Sequence, residues 1–228
     1  MLLSLLLFGF LLGLRHALDA DHVAAMASLA TRSPGMRATM RVAGAWGVGH
    51  ASILVIFGTA LVLVGATVPD SLARWLEAAV GAMLVVLGIG VLGRLRGKHI
   101  HAHAHDHDGG VRHAHLHIHE HGRPGHAHRH ARGLASRALL VGCIHGLAGT
   151  AGLVLLAVPA VESGTAAIAY LVVFGAGTVL GMMLFSLVIS VPLAISVKRL
   201  RWLAGALEAS VGIANVALGC WILVESIG

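Results

Sequence analysis

The chain has 228 residues, of which 57% are apolar and only 11% charged, with a mean hydropathy of +0.86. A soluble domain carries about 25% charged residues, so charge this sparse excludes a free globular protein and implies an all-α integral membrane protein. The net charge of +6 does not indicate nucleic acid: residues 94–137 hold eight Lys/Arg against three Asp/Glu, which puts +5 of the +6 in one loop. A basic loop on a membrane protein reports topology first.

A bilayer core takes about 20 apolar residues per helix, and six segments qualify: 2–30, 42–66, 73–93, 137–160, 165–195 and 203–225. The first is interrupted by a polar cluster. Its leading run, Met1 to Leu14, has no basic residue ahead of it and no small-residue cleavage site behind it, so it is expected to be half of a retained helix rather than a signal peptide. The fifth segment is expected to end near Pro192. Arg32, Arg37 and Arg41 lie in the first loop, eight basic residues in the third, and Lys198, Arg199 and Arg201 in the fifth. The second and fourth loops are nearly free of them. The odd loops are therefore predicted to be cytoplasmic, with both termini outside, in a multi-pass cell (inner) membrane protein. Cys143 and Cys220 both sit in apolar segments and make no disulfide framework.

The chain divides into residues 1–97, a loop over 98–136, and residues 137–228. Its outer parts resemble each other. Leu76-Glu77-Ala78-Ala79-Val80-Gly81 matches Leu207-Glu208-Ala209-Ser210-Val211-Gly212, and Trp46-Gly47-Val48-Gly49-His50 matches Phe174-Gly175-Ala176-Gly177-Thr178. His16-Ala17-Leu18 matches His145-Gly146-Leu147. Three spans per half is an odd number, so the second half enters the membrane from the opposite side. The expected fold is six transmembrane helices as two inverted three-helix repeats, an arrangement common in secondary transporters, with the substrate near the midplane.

Of the 17 histidines, only His16, His22, His50 and His145 lie in apolar surroundings. Span one reads Arg15-His16-Ala17-Leu18-Asp19-Ala20-Asp21-His22, and ionisable groups inside a bilayer cost several kcal/mol each unless they pair or bind something. In a continuous helix His16, Asp19 and His22 share one face, with Arg15 flanking it. Asp21 points elsewhere unless the helix is broken, and could orient a histidine from behind. Two imidazoles and a carboxylate suit nickel, cobalt or zinc better than calcium or magnesium. A plain salt-bridge cluster is the structural alternative. His50 and His145 stand beside small residues and join the candidate metal path, with Thr178 in the place equivalent to His50. Glu77 and Glu208 are read as structural, and Asn215 as a link between helices.

The remaining histidines, His99, His101, His103, His105, His107, His113, His115, His117, His119, His121, His126, His128 and His130, alternate with small and polar residues in the basic loop. Nothing there builds a core, so the loop is expected to be disordered when empty. It is also expected to bind transition metals in competition with protons.

These residues resemble the nickel/cobalt transporter family. The family's helix motif, a histidine followed some four residues later by Asp-His, is similar to Arg15-His16-Ala17-Leu18-Asp19-Ala20-Asp21-His22, and Gly47-Val48-Gly49-His50-Ala51-Ser52 resembles its second motif. The resemblance implies that His16, Asp19, Asp21, His22 and His50 govern metal selectivity and movement. Many uptake members have eight spans and later Asp-Thr motifs without a match here. Six spans, with Ile144-His145-Gly146-Leu147-Ala148-Gly149 in the second half, look closer to a compact branch that includes urease-associated nickel permeases.

The expected function is transport of Ni2+ or Co2+ as the substrate, with no resident cofactor. Uptake is preferred to efflux, and a zinc transporter is the nearest rival. The chain holds no nucleotide-binding Gly-x4-Gly-Lys-Ser/Thr loop and no His-Glu-x-x-His, and its four intramembrane histidines are too few for di-iron boxes, so it is read as no enzyme. A metal buffer would explain the loop but not the buried cluster. The partners expected are the metal ion and the bilayer, with a cytoplasmic metal chaperone or a second copy of the chain also open.

Overall fold

The computed structural model describes the chain except for Met1, Arg32, Pro34, residues 97–98, 107–111, 120–130 and 158–162, and Leu200. Its elements are α1 (Leu2–His16), α2 (Ala20–Ala30), α3 (Met36–Val64), α4 (Asp70–Arg96), β1 (His99–Asp106), β2 (Arg112–His119), α5 (Ala131–Ala157), α6 (Gly164–Arg199) and α7 (Arg201–Ile227). Among the described residues four helices are long and apolar enough to cross a membrane: α3, α4, α6 and α7. The pair α1–α2 makes a fifth if its two halves form one span. Over its described Gly133–Gly149 portion, α5 is a shorter apolar helix. The outward faces carry large apolar side chains such as Leu3, Ile56, Val86 and Val224, as a lipid-facing surface requires. This is a helical multi-pass membrane protein.

The predicted interruption of the first span is a bend of 57° between α1 and α2. It falls on Ala17-Leu18-Asp19, where the ladder tightens: the Leu18 N–H donates to the Arg15 carbonyl at 2.8 Å and the Asp19 N–H to the His16 carbonyl at 3.1 Å. Asp19 then takes extended backbone (φ −60°, ψ 147°) as the N-cap of α2, and Asp21 stands in its first turn. Asp19 makes no side-chain cap hydrogen bond, its carboxylate being turned to His16, but negative charge at both positions is favoured by the positive end of the helix dipole. By contrast α6 runs on past the expected stop at Pro192 to Arg199. A proline deletes one ladder hydrogen bond, which membrane helices tolerate.

Packing is set by glycines. Helices α4 and α7 cross where Gly81 faces the Gly219 carbonyl and Gly88 the Gly212 carbonyl; a Cβ would lie 2.8 and 2.7 Å from those oxygens. In the α3–α5 contact Gly49 meets the Leu139 carbonyl and Gly142 the Trp46 carbonyl. In the α1–α6 contact Gly177 meets the Phe10 carbonyl and Gly13 the Phe174 carbonyl. Without a hydrophobic drive between helices in lipid, such backbone-to-backbone approach is what small residues provide. Helices α3 and α6 also pack on each other. The cysteines Cys143 and Cys220 are free thiols.

Within the segment 98–136, expected to be disordered when empty, the backbone of β1 pairs antiparallel with β2. The register sets His99 opposite His119, His101 opposite His117, His103 opposite His115 and His105 opposite His113. The alternation of histidine with other residues has the period of two that a strand demands. His107, His121, His126, His128 and His130 lie outside the described residues.

Candidate metal centre

The bend brings the two halves of span one around a buried group of imidazoles. His22, on the first turn of α2, is 1% exposed; His50, from α3, is 0%; His145, from α5, is 1%. His16 closes α1 beside them. Ring centroids are 4.4 Å apart for His16–His22, 4.9 Å for His22–His50, 5.4 Å for His16–His50 and 4.2 Å for His22–His145. All four intramembrane histidines therefore meet, although they come from four helices.

Two carboxylates hold these rings from behind. Asp19 Oδ2 lies 2.7 Å from His16 Nδ1. Asp21 Oδ1 lies 3.0 Å from His22 Nδ1 and Oδ2 lies 2.7 Å from His145 Nε2. A carboxylate can only accept, so these ring nitrogens carry the protons and the opposite nitrogens present lone pairs. Those opposite atoms, His16 Nε2, His22 Nε2 and His145 Nδ1, are buried without a hydrogen-bond partner, as are both ring nitrogens of His50. Unpaired buried polar atoms cost about 1–3 kcal/mol each, and a cluster of them facing one another is the mark of a ligand set.

Two groups of donors bring their ligand atoms within 4.8 Å of one another: His16, His22 and His50, and Asp21, His22 and His145. With imidazole–metal bonds of about 2.0–2.1 Å, three donors around one ion stand at most about 3.6 Å apart. A closing movement of up to about 1.2 Å therefore accompanies binding. Gly149 leaves the room: a Cβ there would stand 3.6 Å from both His16 Nε2 and the His50 ring. Trp46 walls the group, its ring 5.6 Å from His22 and 5.5 Å from His145.

The other expected residues fall differently. The Asp19 side chain is 52% exposed and turned to His16, against 27% for Asp21. Asp19 was expected among the ligands, on the geometry of a continuous helix. The bend undoes that geometry, leaving Asp19 as a partner of His16 and bringing Asp21 inward. The Arg15 side chain is exposed. Thr178 is buried, but its hydroxyl donates to the Phe174 carbonyl of its own helix at 3.0 Å. Asn215 Nδ2 donates to the Ala24 carbonyl at 2.9 Å, tying α7 to α2. Glu77, read as structural, lines the cavity of about 350 Å³ on which His16, His22 and His145 also border. Glu225, on the last turns of α7, lines it too and was missed. A lone carboxylate near the end of an apolar helix was the signal available for it.

Fold and site together define a multi-pass helical membrane protein with a buried imidazole–carboxylate cluster. No family model and no solved structure matches the chain. It is 35% identical over 200 residues to the urease accessory protein UreH of Bacillus sp. (strain TB-90), an alignment that covers 88% of this chain and 82% of that protein. The chain belongs to the UreH family of urease accessory proteins.

Proposed function

We propose that the chain is a permease that carries Ni2+, and with it Co2+, into the cell. The observation that carries this reading is the set of buried, unpartnered imidazole nitrogens from His16, His22 and His50 around one small space at a helix break. Nitrogen donors of this kind suit borderline transition metals and leave calcium and magnesium without the oxygens they need. In this mechanism His16, His22 and His50 replace the ion's hydration shell. Asp19 and Asp21 fix ring tautomers, and His145 receives the ion beside them. The name of the UreH relative adds a destination: a urease accessory protein that moves nickel inward supplies metal to urease. The histidine-rich segment then collects arriving ions on the cytoplasmic side.

The transport reading takes six spans as two inverted three-helix halves, with both termini outside. Three sets of contacts support it. Exchanging α1 with α5, α3 with α6 and α4 with α7 turns the α3–α5 packing into the α6–α1 packing and returns α3–α6 and α4–α7 to themselves. With the sequence offsets of 128 to 131 residues, Gly49 on Leu139 becomes Gly177 on Phe10, and Gly142 on Trp46 becomes Gly13 on Phe174. Gly81 on Gly219 becomes Gly212 on Gly88. Halves related in this way can rock about a central site and expose it to one side at a time.

Metal accumulation in cells expressing the chain tests the reading. Cell nickel should rise, and His16→Ala or His22→Ala should abolish the rise while the protein still inserts. Falling nickel with added tolerance would make the chain an exporter, and normal accumulation in both variants would remove the site.

A further inference from the structure

The cavity that reaches the imidazoles has a mouth of its own. Its floor holds His16, His22, His145 and Asp21, and towards the first turns of α4 and the last turns of α7 it is lined by Glu77 and Glu225. Both glutamates are exposed, and among the described residues neither makes an ion pair or hydrogen bond. Among the described residues no lysine or arginine lines this cavity; Arg74 lines a neighbouring pocket with Trp75 and Ile227. The carboxylates therefore face a space whose far end holds buried imidazole nitrogens without partners. That end of the molecule carries the start of α4 and the end of α7, the side opposite the basic loops.

Resting on the transport reading above, we propose that Glu77 and Glu225 form an outer capture site for a hydrated divalent cation, from which the ion passes by Asp21 to the histidines. Carboxylate oxygens are hard donors that attract a dication through its water shell and hold it loosely, whereas the imidazoles deeper in displace that water. A cleft lined by one charge sign between low-dielectric walls raises the local concentration of the opposite ion. Capture and selection are thus divided between two places, the glutamates setting how fast dilute cations arrive and the histidines which of them stay.

The test measures initial Ni2+ uptake against external Ni2+ in cells, for the native chain, Glu77→Gln, Glu225→Gln, the double variant and His22→Ala. Each single variant should raise the half-saturating concentration about five- to tenfold at low ionic strength, with the maximal rate held within twofold. Added salt should shrink that difference, and Glu77→Asp and Glu225→Asp should restore most of it. An unchanged half-saturating concentration in the double variant, alongside lost uptake in His22→Ala, overturns the capture site and leaves the transport reading standing. Normal uptake in His22→Ala removes the histidine site on which the transport mechanism rests, and no uptake in the native chain defeats the transport reading itself. Ala148→Cys, in a chain with Cys143 and Cys220 replaced by Ser, reports independently of uptake. A membrane-impermeant thiol reagent added outside should label it, and Ni2+ should slow labelling in a Glu77- and Glu225-dependent way. Labelling from the inside alone, or Ni2+ protection that survives loss of both glutamates, overturns the proposal.

Discussion

Replacing Asp21 by Asn separates the role of a positioning carboxylate from that of a ligand. Asp21 accepts from His22 Nδ1 at 3.0 Å and from His145 Nε2 at 2.7 Å, which fixes the lone pairs of both rings on their far sides. An asparagine keeps the shape but offers one acceptor and one donor. One of the two histidines then meets an N–H and must present its own lone pair to Asn, losing the orientation a metal needs. Loss of such an outer partner typically weakens metal binding 10–100-fold, about 1.4–2.7 kcal/mol. Calorimetric titration of the purified variant with Ni2+, and the visible absorption of bound Co2+, read this directly. The variant should bind more weakly by that factor with a Co2+ spectrum of unchanged nitrogen character. Native affinity would refute the tautomer argument. A loss as complete as that of His22→Ala, with a spectrum that loses an oxygen donor, would make Asp21 a ligand in its own right.

Other consequences are equally specific. Gly149→Val should abolish Ni2+ binding while leaving thermal stability near native, because its methyl groups extend from a Cβ 3.6 Å from His16 and His50 into the space the ion needs; retained binding would put the ion elsewhere. Gly88→Ala, whose Cβ would lie 2.7 Å from the Gly212 carbonyl, should destabilise the protein by about 1–3 kcal/mol. Gly205→Ala, which meets nothing within 4 Å, should be neutral or stabilising by about 0.5–1 kcal/mol; melting in detergent compares the two. Deleting residues 99–130 should leave Ni2+ flux measurable in proteoliposomes while lowering the metal retained per protein, and complete loss of flux would place the loop in the path itself.

Much of the site could be read along span one. His16, Asp19, Asp21 and His22 are near neighbours in sequence, and the bend between α1 and α2 falls among them. Their division of labour could not be read there. A continuous helix groups Asp19 with the two histidines and sends Asp21 away. The structure turns Asp21 toward His145, 124 residues further on. The same holds for His50, a lone intramembrane histidine by sequence and fully buried against the other rings in the fold. Glu77 and Glu225 were the hardest to read. By sequence one reads as structural and the other is unmarked, and their common cavity exists only because α4 and α7 cross at Gly81–Gly219 and Gly88–Gly212.

Composition and local pattern along the chain establish a helical membrane protein and show which residue types cluster in its first span. Those properties are sums over short stretches: transfer of apolar side chains into lipid, and the preference of carboxylates for a helix start. Tertiary structure alone decided which nitrogens are left to bind, which carboxylates stand behind them and where the cavity opens. Those depend on where helices distant in sequence cross, and in lipid that is fixed by close packing at glycines rather than by any local preference.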